Sequence, residues 1–209
     1  MSDVARFDRL AVVYDWFAPS ASLGDVRAGL AYAERDVESV LDLAGGTGRT
    51  ADALRERSDA NPDLDVTVLD AARGMLREAR AKDLPVVRGD ATRLPVADAS
   101  VDAVVATDAL HHLDAPAAIR EATRALRPGG VFVACDFDPR GLPGRALVAG
   151  EHALSFDSSF YAPGELAGLF ADAGLRPHGV TSGFAYALAG VKTDGTPTGE
   201  RDEPIREYR

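Results

Sequence analysis

Three closely spaced glycines are the first residues in the chain with a recognisable chemical use. Gly45, Gly46 and Gly48 follow the apolar run 37–43 and open a segment, about 47–57, whose pattern predicts a helix. A glycine-rich turn between a strand and a helix brings the backbone close to a ligand at the carboxyl end of the strand. Glycine suits such a turn because a Cβ would block the approach or forbid a positive φ.

The glycine spacing leaves two ligand classes open. Gly46, Gly48 and Ala51 satisfy the loose dinucleotide-binding pattern, which allows alanine in third place. Asp70 lies 22 residues after Gly48, where an acid that binds a ribose is expected. A nicotinamide dinucleotide and S-adenosylmethionine (SAM) both fit these features.

Two further acids favour SAM. Asp42 lies inside the strand just before the glycines, where it would repel a pyrophosphate but suit an ammonium group. Asp90 ends the third strand unit and precedes the small residue Ala91, so it could accept a hydrogen bond from an adenine amine. Asp42, Asp70 and Asp90 together match the ammonium, ribose and adenine of SAM, which carries no phosphate.

Alternating strands and helices must position these acids. Strands that alternate with helices at this spacing predict βαβ units and a doubly wound α/β sandwich with a parallel sheet. After residue 139 the rhythm breaks, and two runs joined at 182–183 are typical of a closing antiparallel hairpin. The predicted strands are 37–43, 65–70, 85–88, 101–107, 131–136, 175–181 and 184–191, and the predicted helices are 23–35, 47–57, 72–81, 115–126, 145–154 and 164–173.

Composition limits the classes of partner. The 209 residues carry a formal net charge of −10, which disfavours a nucleic-acid partner because phosphate binding needs clustered bases. The single cysteine, Cys135, excludes an intramolecular disulfide and a clustered-cysteine metal site, and the sequence predicts no metal. No apolar run is long enough for a membrane span and the first residues show no leader, so a cytoplasmic location is expected.

The acids outnumber the bases, 33 against 23, and lysine is rare among the bases. This composition fits either a protein kept soluble in concentrated salt or a GC-rich genome. Equal stability and activity in low and molar salt would exclude the high-salt hypothesis.

Five short sequence segments, called blocks here, follow one another along the chain in an order that resembles the class I SAM-dependent methyltransferases. Together with the segment 7–15 (FDRLAVVYD), they look most like the ubiquinone/menaquinone-biosynthesis C-methyltransferases, the methyltransferase type 11 group. The resemblance implies a Rossmann-like, seven-stranded, mostly parallel sheet with helices on both faces and an antiparallel last strand. The blocks are 40–48 (VLDLAGGTG), 70–76 (DAARGML), 89–102 (GDATRLPVADASVD), 110–113 (LHHL) and 126–130 (LRPGG).

The resemblance also implies roles for individual residues. Gly45, Gly46 and Gly48 would line the methionine part of SAM, and Asp42 would support its ammonium group through a water molecule. Asp70 would bind the ribose and Asp90 the adenine amine, and Tyr14 would close over the cofactor. The implied cofactor-binding set is Tyr14, Asp42, Ala44, Gly45, Gly46, Gly48, Asp70, Ala71, Met75, Asp90, Ala91 and Thr107.

Methyl transfer needs alignment first and, for some acceptors, a base. His111, His112 and Asp108 are the candidate catalytic residues, because they follow the fourth strand near the expected cleft. Asp136 is a further candidate base, and His152 and Tyr161 are weaker ones.

Several residues also have a purely structural interpretation. Asp114 is expected to cap a helix, and Cys135 to be a small core residue. Asp98 and Asp102 are expected to lie at solvent or shape a turn. Four aromatic side chains could line an apolar acceptor pocket or form the core of a lid; they are Phe156, Phe160, Tyr161 and Phe184.

The expected organisation is a single domain over 1–191, with N-terminal lid helices in 1–35, an insertion at 139–162 and a mobile tail at 192–209. The function that these features predict is in-line methyl transfer from SAM to a small, apolar or quinone-like acceptor. A NAD-dependent oxidoreductase and a catalytically inactive SAM-binding module are the alternatives. The protein is expected to be a monomer or a homodimer.

Overall fold

The computed structural model describes residues 22–56, 64–153 and 156–193. Seven strands form one sheet in the order β3-β2-β1-β4-β5-β7-β6. All neighbouring pairs are parallel except those of β7, which runs antiparallel to β5 and β6. The strands are β1 Ser39–Leu43, β2 Asp65–Asp70, β3 Val86–Arg88, β4 Val101–Thr107, β5 Leu126–Phe137, β6 Leu175–Thr181 and β7 Ala185–Lys192.

Helices cover both faces of this sheet. One face packs against the three described helices that precede β4 in the chain, and the other against the helices at 115–125 and 163–172. The described helices are α1 Leu23–Leu30, α2 Arg49–Glu56, α3 Arg73–Ala81, α4 Ala115–Ala125, α5 Leu142–Ala153 and α6 Pro163–Asp172. The predicted fold, a Rossmann-like, mostly parallel sheet with an antiparallel last strand, is confirmed.

Alternate residues of each strand supply two separate cores. In β1, Val40 packs with residues of α1, α2 and α3, whereas Leu41 and Leu43 pack with residues of α4 and α6. In β5, Phe132 stacks on Phe170 of α6 with ring centroids 5.0 Å apart. Near-continuous apolar strands are required here because both faces of a covered parallel sheet are buried.

A buried carboxylate fixes the amino-terminal end of β1 against β4. Asp102 accepts hydrogen bonds from the Glu38 amide, the Ser39 amide and hydroxyl, and Arg127, and its Oδ1 lies 2.7 Å from Nε of Arg35. Burial by itself would raise the pKa of Asp102, but these hydrogen bonds outweigh it and lower the pKa to about 2. The expectation that Asp102 only solvates or shapes a turn is therefore wrong.

Some element bounds differ from prediction. The first helix ends at Leu30 rather than 35. The fifth strand is longer than the predicted 131–136, because β5 already pairs with β4 at Leu126 and resumes at Val131 after a bulge. Gly129 supplies the positive φ of +73° that this irregular strand needs.

The insertion is more helical than predicted, since α5 begins at Leu142 rather than 145. Asp114 caps α4 as expected, because its carboxylate accepts from the amide of Ala117. Within the described residues, none of the helices is both long enough and apolar enough to cross a membrane. The predicted lid segment before residue 22 and most of the predicted tail lie outside the described residues.

Candidate functional site

A cavity of about 510 Å³ opens at the carboxyl ends of β1, β2 and β4. Its volume falls within the range of small-molecule sites, and its position is where ligands bind in open α/β sheets. The glycine loop forms one wall and the residues that follow β2, β3 and β4 form the others. Of the predicted site residues, it is lined by Ala44, Gly45, Gly46, Asp70, Ala71, Met75, Asp90, Ala91, Thr107, Asp108 and His112.

Asp70 joins the glycine loop to the next strand–helix connection. Its Oδ2 accepts from the amide of Gly46 at 3.0 Å, and its Oδ1 accepts from the amide of Ala72 at 2.7 Å. The second bond satisfies an amide at the start of α3, where Ala72 has no side chain to cap the helix. Asp70 thus holds both walls of the cavity and also presents carboxylate oxygens to it.

Asp90 lines the same cavity beside Ala91. Its Oδ1 accepts from the amide and the hydroxyl of Thr92, both at 2.8 Å. These two bonds fix the direction of the carboxylate at the cavity rim, so that a ligand need not order it.

Asp42 is not in the lining but lies directly behind it. The side chain is fully buried, and Oδ2 accepts from the amide of Ala51 at 3.2 Å. Among the described residues, Oδ1 has no hydrogen-bond partner. A Cβ on Gly45 would lie 2.4 Å from the Asp42 carboxyl carbon, so only glycine lets the loop rest on this carboxylate. Burial raises the pKa of Asp42 to about 7, and the Ala51 hydrogen bond opposes the rise only in part.

Gly48, also expected to contact a ligand, faces away from the cavity. A Cβ there would lie 2.4 Å from Leu84 and 3.3 Å from both Ala79 and Val68, in the core beneath the loop. Its φ is +76°. Gly48 therefore allows the loop and α2 to pack tightly on β2 and α3, which is a positioning role.

β4 ends at the cavity with Thr107, and Asp108 follows it there. The hydroxyls of Thr107 and Thr50 lie 2.8 Å apart and tie β4 to α2. Asp108 has a φ of +53°, and its amide donates to the carbonyl of Cys135 at 2.9 Å. This left-handed turn redirects the chain so that the next residues enter a 3₁₀ turn, Leu110–His112.

That turn carries both predicted histidines, but only His112 lines the cavity. His111 is buried behind it, with Nδ1 2.7 Å from Oδ1 of Asp136. Burial would lower the pKa of His111, but Asp136 and Glu151 outweigh this effect and raise it. For His112, burial and the neighbouring His111 lower the pKa to about 3.

Burial raises the pKa of Cys135 to about 12, in line with the core role expected of it.

Two of the four aromatic residues that could line an acceptor pocket or form the core of a lid pack on the histidines. Phe160 stacks on His111 at 4.3 Å, and Phe156 packs on His112 at 5.5 Å between ring centroids. Phe184 packs on Phe137, and the Tyr161 carbonyl accepts from the Tyr186 hydroxyl. The described residues that line the cavity include none of these four, nor the weaker candidate base His152, which is exposed.

Tyr14, the predicted lid residue, lies outside the described residues. Conversely, α1 and α2 supply lining residues that the sequence did not single out. They come from helix faces next to the loop, and helical periodicity does not indicate which end of the sheet a face reaches. They are Leu23, Val26, Arg49, Thr50, Ala53 and Glu56.

Comparisons with known proteins agree with the resemblance noted in the sequence. Residues 41–134 match a family model described as a methyltransferase domain. A demethylmenaquinone methyltransferase of Beutenbergia cavernae is 41% identical over 155 residues, 69% of this chain and 62% of the relative. A malonyl-[acyl-carrier protein] O-methyltransferase of Xylella fastidiosa is 40% identical over 106 residues, 48% of this chain and 35% of the relative. The chain thus spans less than two thirds of the length of these relatives.

Solved structures share the fold at low identity. The methyltransferase bound to the Haloferax volcanii Trm112 activator superposes with a TM-score of 0.71 at 22% identity, covering 90% of this chain and 97% of that one. A SAM-dependent methyltransferase of Thermotoga maritima gives 0.67 at 19% identity, covering 91% and 96%. A geranyl diphosphate methyltransferase in complex with sinefungin gives 0.62 at 15% identity, covering 80% and 77%.

Proposed function

We propose that the protein is a class I methyltransferase that binds SAM in the cavity and transfers its methyl group to a small acceptor. The match of residues 41–134 to a methyltransferase domain model supports this proposal. The observation that carries the proposal is the meeting of the glycine loop, Asp70 and Asp90 around one cavity of about 510 Å³. These groups come from three successive strand ends and complement an amino acid, a ribose and an adenine.

The residues present fit SAM in charge as well as in shape. Asp42 has a buried oxygen without a described partner immediately behind Gly45, and an ammonium group on the loop would compensate it. Asp70 would accept hydrogen bonds from the ribose hydroxyls, with Ala71 and Met75 beside the adenine. Asp90 would accept from the adenine amine.

SAM supplies an activated methyl carbon with a sulfonium leaving group, so no covalent enzyme intermediate is needed. The chain contributes alignment, which can lower a barrier by roughly 7–11 kcal/mol when the geometry is right. Thr107, at the end of β4, and Asp108 and His112, which follow it, line the cavity. We expect the methyl donor and the acceptor to meet beside them. The Thr50–Thr107 hydroxyl contact holds that wall in place.

For the acceptor we propose a small apolar molecule of the quinone type. The relative of Beutenbergia cavernae, named a demethylmenaquinone methyltransferase, supports this class. The apolar lining residues Leu23, Val26 and Leu113 fit it as well. The relative of Xylella fastidiosa is named for a different acceptor, a malonyl group on an acyl-carrier protein, so both classes belong in the assay.

Calorimetry with S-adenosylhomocysteine (SAH) and with NAD tests the binding step. We expect one SAH site per chain, loss of SAH binding in Asp70→Ala, and no NAD binding. Asp65→Ala is the matched control, since Asp65 is exposed at the opposite end of the same strand. Binding of NAD without SAH would show that the site belongs to an oxidoreductase.

Turnover separates an enzyme from an inactive binding module. Transfer of radiolabelled methyl from SAM to a demethylated naphthoquinol, and not to a malonyl thioester, is the expected result. Transfer to the thioester alone would replace the proposed acceptor class. SAH binding with no transfer to either acceptor would favour the binding module.

A further inference from the structure

The two consecutive histidines and a glutamate from the insertion converge on one point. Oε1 of Glu151 lies 3.7 Å from Nε2 of His111 and 3.9 Å from Nε2 of His112. One ligand atom from each of the three residues lies within 4.8 Å of the others. A tetrahedral metal ion with ligands at about 2.0–2.1 Å requires ligand atoms a little over 3 Å apart, so a small contraction of this triangle would close it on an ion.

A second carboxylate already orients one of these ligands. Asp136 Oδ1 lies 2.7 Å from Nδ1 of His111 and also accepts from the Phe137 amide at 2.8 Å. With its proton on Nδ1, directed at Asp136, the ring presents the lone pair of Nε2 toward Glu151. A histidine that donates its other nitrogen to a carboxylate is the usual outer arrangement of a protein metal site.

The surroundings suit a metal better than an ordinary surface ion pair. The side chains of His111, His112 and Glu151 are only 4%, 12% and 17% exposed. Oε2 of Glu151 is buried and has no hydrogen-bond partner among the described residues. Phe160 and Phe156 pack on the two imidazole rings and shield them from water. A buried glutamate oxygen left unpaired is costly unless a cation compensates it.

The identity of the ligands selects the class of ion. Two imidazole nitrogens and one carboxylate suit Zn²⁺ and its first-row neighbours, whereas Ca²⁺ and Mg²⁺ prefer all-oxygen sets. Three protein ligands leave a coordination position open, and His112 lines the cavity. The open position can therefore face the acceptor side of the site.

We propose that His111, His112 and Glu151 form a binding site for a divalent transition-metal ion of the zinc class, with Asp136 orienting His111. If the proposed function is correct, this ion would lie where it can bind an oxygen of the methyl acceptor. Metal binding itself does not depend on that function, because the cluster lies outside the groups assigned to SAM.

The test uses the full-length protein stripped of metal by a chelator and then dialysed. Zn²⁺ is titrated against a chromophoric chelator, and Co²⁺ binding is followed by its visible absorption. We expect one Zn²⁺ per chain and a Co²⁺ spectrum of low coordination number with histidine ligands. Glu151→Ala should weaken Zn²⁺ binding at least a hundredfold, and Asp136→Asn about 10–100-fold, as for other outer-shell carboxylates.

His152→Ala is the matched control, because His152 is exposed on the same helix and lies outside the cluster. SAH binding and the circular dichroism spectrum show whether each variant is folded. The proposal is overturned if the wild-type protein binds Zn²⁺ no more tightly than a folded Glu151→Ala variant, or if His152→Ala weakens binding as much as Glu151→Ala. If the wild-type protein binds Zn²⁺ but does not bind SAH, the metal site is supported and the proposed SAM-dependent function is contradicted.

Discussion

Two buried aspartates at opposite ends of the neighbouring strands β1 and β4 have opposite electrostatics. Asp102, at the amino end, accepts hydrogen bonds from two amides, a hydroxyl and an arginine, and its pKa falls to about 2. Asp42, at the carboxyl end, accepts one amide hydrogen bond, and its pKa rises to about 7. Both side chains are 3% exposed or less.

The difference shows that burial does not decide what a carboxylate does. A buried charge stabilises a fold only when its partners replace the lost water, as the partners of Asp102 do. For Asp42, the protein itself supplies only part of the interactions that replace the lost water. A bound cationic group would supply the rest. The buried carboxylate at the amino end of the sheet thus stabilises the fold. The one at the carboxyl end lowers the stability of the ligand-free protein, and ligand binding can offset this loss.

The largest effect is expected from Asp102→Ala. The substitution leaves Arg35, Arg127 and two backbone amides without their acceptor, and removing one partner of such a buried network costs about 3–5 kcal/mol. Since both arginines are about one third exposed, the low end of this range is expected. Urea unfolding near neutral pH measures the loss. An unchanged free energy of unfolding would mean that the Asp102 carboxylate does not stabilise the fold, which would contradict the proposed difference from Asp42.

The stabilising contribution of Asp102 also has a defined pH dependence. Its folded-state pKa of about 2 lies below the ordinary aspartate pKa of 3.8. The contribution is therefore fully present above about pH 4 and is lost as the pH falls through about 2.

Asp42→Asn should act in the opposite sense. The folded-state pKa of about 7 exceeds the ordinary aspartate pKa of 3.8, so the carboxyl group costs stability as the pH rises from about 4 to about 7. Without bound ligand, the Asp42→Asn variant should therefore be more stable than the wild type at pH 8 but not at pH 4. SAH should bind about 10–100-fold more weakly, since a charge-assisted interaction worth about 1.5–3 kcal/mol is lost.

Thermal unfolding at the two pH values and calorimetry with SAH measure both effects. Asp98→Asn is the control, because its side chain is 80% exposed and pairs with Arg124 away from the cavity. If Asp42→Asn loses stability at pH 8 and binds SAH normally, Asp42 is a structural residue like Asp102.

Arg35→Ala removes only one of the partners of Asp102. Arg127 and the donors on Glu38 and Ser39 remain, and Arg35 is 32% exposed. We expect a loss of about 1 kcal/mol, as for a partly solvated ion pair. A loss as large as that of Asp102→Ala would mean that the arginine, rather than the set of donors, compensates the carboxylate.

The smallest expected effect is the release of a proton from Asp42 when SAH binds. Near pH 7 about half of the ligand-free molecules carry the proton on Asp42, and a bound ammonium group favours the ionised form. SAH binding should therefore release a fraction of a proton, seen as a binding enthalpy that varies with the ionisation enthalpy of the buffer. The variation should disappear in Asp42→Asn, and its persistence there would assign the proton to another group.

Much of this site could be predicted from the sequence because its signals are local. A strand that runs into glycines, and an acid at the end of each following strand, place Asp70 and Asp90 at one edge of a parallel sheet whatever the rest of the chain does. The same reasoning misplaced Gly48, whose contacts with Leu84, Ala79 and Val68 belong to the core. Type and spacing cannot show whether a glycine faces a ligand or the inside of the fold.

By itself, the sequence determined the doubly wound sheet, the glycine loop and the family resemblance, since periodicity and turn residues act over short stretches of chain. Only the tertiary structure decided that Asp42 lies sealed behind Gly45 with an uncompensated oxygen while Asp102 is fully bonded. It alone also brought Glu151, from the insertion, against His111 and His112. Both outcomes depend on contacts between residues far apart in the chain, and the partners of a buried charge are set by packing rather than by its neighbours in sequence.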